Sequence, residues 1–394
     1  MDDTGRVNFK KMMLISLPKP LIFGVSGPTL TAQECEAFNK INPLGFILFK
    51  KNLIDKEQCR QLCKDLRESV GRDDAPILVD QEGGAVNRLA PPSWRQPPAP
   101  LELGKFAYTP LHGALEKTVQ LAYLNGQLIA CEMREIGLNV NCAPVADLLF
   151  PKAHSITSSR SFGTDPLLTT NLVNSMATGL QERGVQTIIK HMPGQGRAQQ
   201  DSHLNLPVVY EDLETLEKTD FFVFKNALKT MWGMTAHIQY TCLDHLPVTY
   251  SQKAISYIKK HLNFQGILFT DCLTMQALTD PLGIKAAKAL DAGIDVALYG
   301  GCSLSALHEL THNMPPLRAE TSHKIQCDLK KIETVITSDY DEVFSSYTQL
   351  LNELAEELSC IPSSLYSPEL RFILTTLAER SLPSADYSSP LYKA

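Results

Sequence analysis

The stretch Lys190–His203, KHMPGQGRAQQDSH, holds the densest set of reactive side chains in the chain. Asp201 and His203 are two positions apart, so in an extended segment their side chains share a side. A carboxylate placed there orients an imidazole and stabilises its protonated form, as proton transfer requires. The Gly and Pro residues predict a long loop. No helix opens directly behind it, so a phosphate cradle is not expected. A loop aspartate also commonly turns its own backbone, and the pair gains chemical meaning only beside other groups. Those groups exist: Asp80-Gln81-Glu82-Gly83-Gly84, Asn141 with Asp147, Lys190-His191, His237 and Asp271 each close an apolar run. One apolar run finishing in a charge is an ordinary solvated boundary. Five at the same end of a repeating unit describe a polar pocket with carboxylates and cationic partners.

The elements that must position these residues are legible as alternating runs. Strands are expected near 21–25, 45–49, 77–80, 138–143, 187–191, 233–237, 267–271 and 296–299. Several are continuously apolar (GFILF, PILVD, GILFT), as in parallel strands buried on both faces. Helices between them carry their own punctuation. Thr31-Ala-Gln-Glu34 is a capping box, Asp165-Pro166 an N-cap before a first-turn proline, and Gly184 a stop. Further helices should start near Asp212, Ser251 and Ile284. Eight strands, each followed by a helix, give an α/β (β/α)8 TIM-type barrel, with chemistry at the C-terminal ends of its strands. An open doubly wound sheet is the rival, but no GxGxxG follows the first strand. After residue 315 two helix-like stretches, about 318–334 and 341–358, precede a Ser/Pro-rich tail with one more apolar segment at 370–377. This predicts a barrel over 1–315 and a mainly helical C-terminal appendage over 316–394.

With 37 basic and 43 acidic residues the net charge is −6, and no basic stripe points to nucleic acid. No apolar run approaches the roughly 20 residues of a membrane span, and the first residues do not read as a signal peptide. The ten cysteines are scattered with no CxxC pair. Cys59, Leu62, Cys63, Leu66 and Val70 follow one helical face, so those thiols read as small core hydrophobes, and a cytoplasmic setting is expected.

The motifs DQEGG…NRL, SRSFGTDP, KHMPGQG…DSH, TAHIQY and FTDCLTM, in this order from about residue 21 to 301, resemble those of glycoside hydrolase family 3 β-N-acetylglucosaminidases of the bacterial NagZ type. The resemblance implies that Asp271 is the nucleophile, His203 the general acid/base and Asp201 its supporting carboxylate. It implies that Asp80, Arg88, Arg160, Lys190 and His191 hold the sugar's hydroxyls and N-acetyl group. The activity implied is exo-hydrolysis of terminal N-acetylglucosamine, from muropeptides of cell-wall recycling or chito-oligosaccharides. The chain departs from the pattern at Ala85, Met192, Gln195 and Cys272, none of them assigned to bond-making.

These residue types suit retaining glycoside hydrolysis, which needs a nucleophile at the anomeric carbon and a proton donor near the leaving oxygen. An unshifted aspartic acid would be only about 0.1% protonated at pH 7, whereas a histidine near ~6.5 is about a quarter protonated. No metal is expected, since HExxH-like helical spacing is lacking, and no cofactor. Two alternatives stay open: a phosphorylase of the same family, since a neutral histidine repels phosphate less than a carboxylate does, and a catalytically weak sugar-binding homologue.

Overall fold

Each of the eight apolar runs becomes a strand in a computed structural model that describes residues 17–151, 159–202, 204–333 and 340–361. The strands are β1 (Lys19–Gly24), β2 (Pro43–Leu48), β3 (Ile77–Val79), β4 (Val140–Asn141), β5 (Gln186–Met192), β6 (Trp232–Thr235), β7 (Leu268–Cys272) and β8 (Val296–Tyr299). They close into one barrel in sequence order. All neighbouring pairs are parallel, and β1 meets β8 with Leu21 opposite Ala297. The runs are continuously apolar because alternate side chains serve two cores. Ile22, Ile47, Leu78, Val140, Ile188, Phe269 and Leu298 fill the interior. Their neighbours Phe23, Phe46, Val79 and Ile189 face the surrounding helices.

The helices are α1 (Ala32–Ile41), α2 (Lys56–Val70), α3 (Pro100–Phe106), α4 (Ala114–Glu135), α5 (Pro166–Glu182), α6 (Leu213–Lys218), α7 (Asp220–Lys225), α8 (Gln252–Lys260), α9 (Leu282–Asp291), α10 (Leu304–Thr311), α11 (Ala319–Glu333) and α12 (Tyr340–Ser359). The Thr31 capping box forms in full. Asp165 accepts the Leu168 amide at 2.8 Å above Pro166. On α2, Cys59, Leu62, Cys63 and Leu66 are buried. The helix opening at Asp212 breaks at Thr219, where φ is −124° and ψ −98°. The break turns Asp220 inward, where it accepts from Arg197 Nε at 2.7 Å and from the Thr219 hydroxyl at 2.9 Å.

Two short ribbons extend the barrel's C-terminal rim. Gln81–Gly83 pairs antiparallel with Val86–Asn87 just after β3, and Val208–Val209 pairs with Gln239–Tyr240 between the loops that follow β5 and β6. The first turns through Gly83 and Gly84, both at positive φ, where a Cβ on Gly83 would lie 2.1 Å from the Pro98 carbonyl oxygen. At the opposite mouth, Leu317 and the α11 residues Ile325 and Leu329 pack on the interior cluster. Trp232 Nε1 donates to Asp328 there at 3.0 Å. On the outside α12 lies against α4, with Tyr347 beneath the Arg95 guanidinium. The apolar segment expected at 370–377 lies outside the described residues. No helix among the described residues is long and apolar enough to cross a membrane.

Candidate active site

β3 delivers Asp80, and the ribbon behind it delivers Glu82 and Arg88. Glu82, with 1% of its side chain exposed, takes the fork of Arg160, Nε to Oε2 at 2.8 Å and Nη2 to Oε1 at 2.9 Å. Lys190, on β5, reaches the same Oε1 at 2.6 Å and Asp80 Oδ1 at 2.9 Å. Arg88 stands 3.8 Å from Asp80 Oδ2 with its guanidinium over Phe49. Burial opposes ionisation of Glu82, but Arg160 and Lys190 outweigh it and hold the carboxyl far below its ordinary value. Burial likewise opposes the charge on Lys190, and Asp80 and Glu82 overcome it, holding the ammonium above the usual lysine value. The result is a wall of interlocked ion pairs.

The second half of the site is a relay of carboxylate, imidazole and carboxylate. Asp147, buried after β4, accepts His191 Nδ1 at 2.7 Å on one oxygen. Its other oxygen takes the backbone amides of His191 at 3.2 Å and Gln195 at 2.7 Å. With Nδ1 so engaged, His191 presents Nε2 to Asp271 Oδ2 at 4.0 Å. The Lys190–His191 peptide is cis. Asp271, near the end of β7, accepts its neighbour Cys272's amide at 2.6 Å. Burial would raise its pKa, yet His191, His237, that amide and Lys190 bring it below the ordinary aspartate value. Asp271 is therefore an anion beside the cavity. His237 is buried, with Nδ1 2.7 Å from the Thr249 hydroxyl and Nε2 3.2 Å from the Cys272 carbonyl. Burial lowers its pKa, and Nε2, facing a carbonyl oxygen, donates and braces the end of β7.

These walls enclose a cavity of about 720 Å³ at the C-terminal ends of the strands. That is within the ~300–1,000 Å³ range of small-molecule sites. Asp80, Arg88, Arg160, Lys190, His191, Asp201 and Asp271 all line it. His203 lies outside the described residues. Of the departures from the family pattern, Ala85, Gln195 and Cys272 line the cavity, whereas Met192 is buried in the outer core. Glu82 and Asp147 were read from the sequence only as polar strand-end residues, with no catalytic or binding role. The available signal was an acidic residue closing or following an apolar run, but their partners lie 78 and 44 residues away. Among the described residues no group of three or more His, Cys, Asp or Glu could hold a metal ion.

Residues 17–335 match the glycosyl hydrolase family 3 N terminal domain. A beta-hexosaminidase of Tolumonas auensis is 32% identical over 312 residues, covering 77% of this chain and 89% of its own length. One from Xylella fastidiosa is also 32% identical, over 292 residues, covering 71% of this chain and 82% of its own. The crystal structure of NagZ from Neisseria gonorrhoeae in complex with N-trifluoroacetyl-D-glucosamine superposes with a TM-score of 0.75 at 24% identity, covering 85% of this chain and 98% of that one. At that identity the likeness is one of fold, and it is the closed parallel barrel described above. A sequence match over most of the described chain, carried on a barrel whose carboxylates meet at the strand ends, places this protein among the glycoside hydrolases: it belongs to glycosyl hydrolase family 3.

Proposed function

We propose that the chain is a retaining, exo-acting β-N-acetylglucosaminidase that removes terminal N-acetylglucosamine from muropeptide-like substrates through a covalent glycosyl–Asp271 intermediate. The observation that carries this reading is the Asp271 carboxylate, ionised and 4.0 Å from His191 Nε2 in a cavity large enough for a small ligand. The names of the curated relatives, beta-hexosaminidases, favour the same substrate class.

In this mechanism Asp80, Arg88, Arg160, Lys190 and His191 hold the sugar's hydroxyls and N-acetyl group. Asp271 attacks the anomeric carbon as the glycosidic bond breaks, while His203, supported by Asp201, protonates the departing oxygen. In the second step His203 accepts a proton from water, which attacks the same carbon and frees Asp271. His191, held by Asp147, keeps Asp271 ionised and aimed.

The test is to incubate the protein with an aryl N-acetyl-β-glucosaminide and with purified muropeptides, with and without phosphate, and to identify the products by mass spectrometry and NMR. Release of β-configured N-acetylglucosamine, loss of turnover in Asp271→Ala, and a sugar adduct on Asp271 with a slow fluorinated substrate are expected. Near-normal turnover by Asp271→Ala would end this assignment. Sugar 1-phosphate as the main product would make the chain a phosphorylase.

A further inference from the structure

The loop after β5 is pinned at its base. The Gly194 amide donates to the His191 carbonyl at 2.7 Å, and the Gly194 carbonyl accepts the Tyr240 hydroxyl at 2.5 Å. Arg197 lies 4.0 Å over the Phe150 ring and pairs with Asp220 at 2.7 Å and Glu211 at 2.9 Å. The chain then runs out to solvent at Gln199 and Gln200. It returns at Ser202, which is 1% exposed although Leu204, two positions on, is 59% exposed. A serine has little apolar surface to draw it inward, so burial at that point needs a polar partner. That partner is Gln195, itself 8% exposed, whose Nε2 donates to Ser202 Oγ at 3.0 Å. A hydroxyl can donate or accept, so the bond survives either orientation of the amide.

Gln195 also faces the other way. Its backbone amide donates to Asp147 Oδ1 at 2.7 Å, and the same carboxylate orients His191 toward Asp271. One residue therefore ties the nucleophile's neighbour, through its main chain, to Ser202, through its side chain. The Asp201 carbonyl accepts the Leu204 and Asn205 amides at 3.0 and 2.9 Å. Gln195, Asp201 and Ser202 all line the cavity. Gln195 is one of the positions at which the chain departs from the family pattern.

We infer that Gln195 and Ser202 are positioning residues: their side-chain bond holds the chain beside Asp201 against the cavity wall, and proton delivery to the leaving group depends on that hold. The inference rests on the reading of His203 as proton donor. It is tested with N-acetyl-β-glucosaminides of graded leaving-group pKa and the variants Gln195→Met, Ser202→Ala, their combination, and His203→Ala. The quantity read is kcat/KM, which reports the bond-breaking step. Each single variant is expected to lose roughly tenfold or more on a sugar or alkyl leaving group, which needs protonation, and less than about threefold on dinitrophenolate, which does not. The double variant should be no worse than the worse single, because both remove the same bond. A role confined to folding would lower both substrate classes alike, and that result, additive losses or no loss would overturn the inference. Should Gln195→Met fail to fold, the small truncation at Ser202 carries the test. A His203→Ala variant with no leaving-group dependence would instead remove the underlying reading. A steep dependence there with a flat response at Gln195 and Ser202 would remove only the clasp.

Discussion

Glu82 touches almost no water and faces two cations, so its replacement separates electrostatics from shape. Glu82→Gln keeps the volume and leaves Arg160 and Lys190 buried with less counter-charge, at an expected cost of about 3–5 kcal/mol in urea unfolding at pH 7. The pH dependence has a definite sign. Because the folded carboxyl titrates far below the unfolded value, its contribution is complete above about pH 4.3 and fades as pH falls toward the folded value. The stability gap between parent and variant should therefore shrink below about pH 4.3 by up to ~1.4 kcal/mol per unit, and a gap constant down to pH 3 would refute the pairing. Asp147→Asn tests the relay: the amide can still accept one bond but no longer takes the imidazole and two backbone amides on a pair of carboxylate oxygens. A fall of about 10²-fold in kcat with KM little changed is expected, since misplacement by about 1 Å suffices. Asp80, Lys190, His191 and Asp271 were legible from sequence because each closes an apolar run. Glu82 and Asp147 could be placed at strand ends in the same way, but not given a role, because their partners come near only through barrel closure.

At the scale of elements, the eight strands could be read because apolar runs that serve two cores have little other use. The ribbon of Gln81–Gly83 with Val86–Asn87 was hidden in what reads as a polar strand end. The break at Thr219 was hidden too, since it is the half-buried Arg197 that explains why Asp220 turns inward. Helices α4 and α5 approach each other closely through two glycines. A Cβ on Gly126 would lie 2.3 Å from the Met176 carbonyl oxygen, and one on Gly179 2.1 Å from that of Tyr123. Backbone cannot step aside as a flexible side chain does. Gly179→Ala is thus expected to cost ~1–3 kcal/mol by overpacking, read as a lower urea midpoint with unchanged slope. An unchanged midpoint would mean the helices do not approach so closely.

Across the whole molecule, the helices after residue 315 cover two separate surfaces, the barrel's N-terminal mouth and the outer face of α4. Leu351 is fully buried on α12, and Leu351→Ala should cost about 2–5 kcal/mol while leaving KM for an aryl substrate unaltered, because the cavity lies elsewhere. Thiol accessibility reports the same packing. Cys35 and Cys360 are exposed and should react with a thiol reagent in the native protein. Cys59 and Cys63, which burial pushes up to about 11 and about 12, should react only after denaturant is added. Rapid native labelling of Cys63 would show that α2 is not seated as described. From sequence, the helical character of this region was readable from its periodicity, but its docking surfaces were not, since amphipathic pattern gives a face without naming its partner.

The barrel's seam has a consequence for synthesis. β1 finds its second neighbour only when β8, residues 296–299, has been made. At translation speeds of about 5–20 residues per second, the free flank of that first strand waits on the order of tens of seconds for its mate. Throughout that interval it offers unsatisfied amides and carbonyls to any extended stretch nearby, whether upstream, downstream or on another polysome. A ribosome stalled before codon 296 would therefore hold an open, adhesive sheet, and the last strand out decides whether the nascent chain becomes an enzyme or an aggregate.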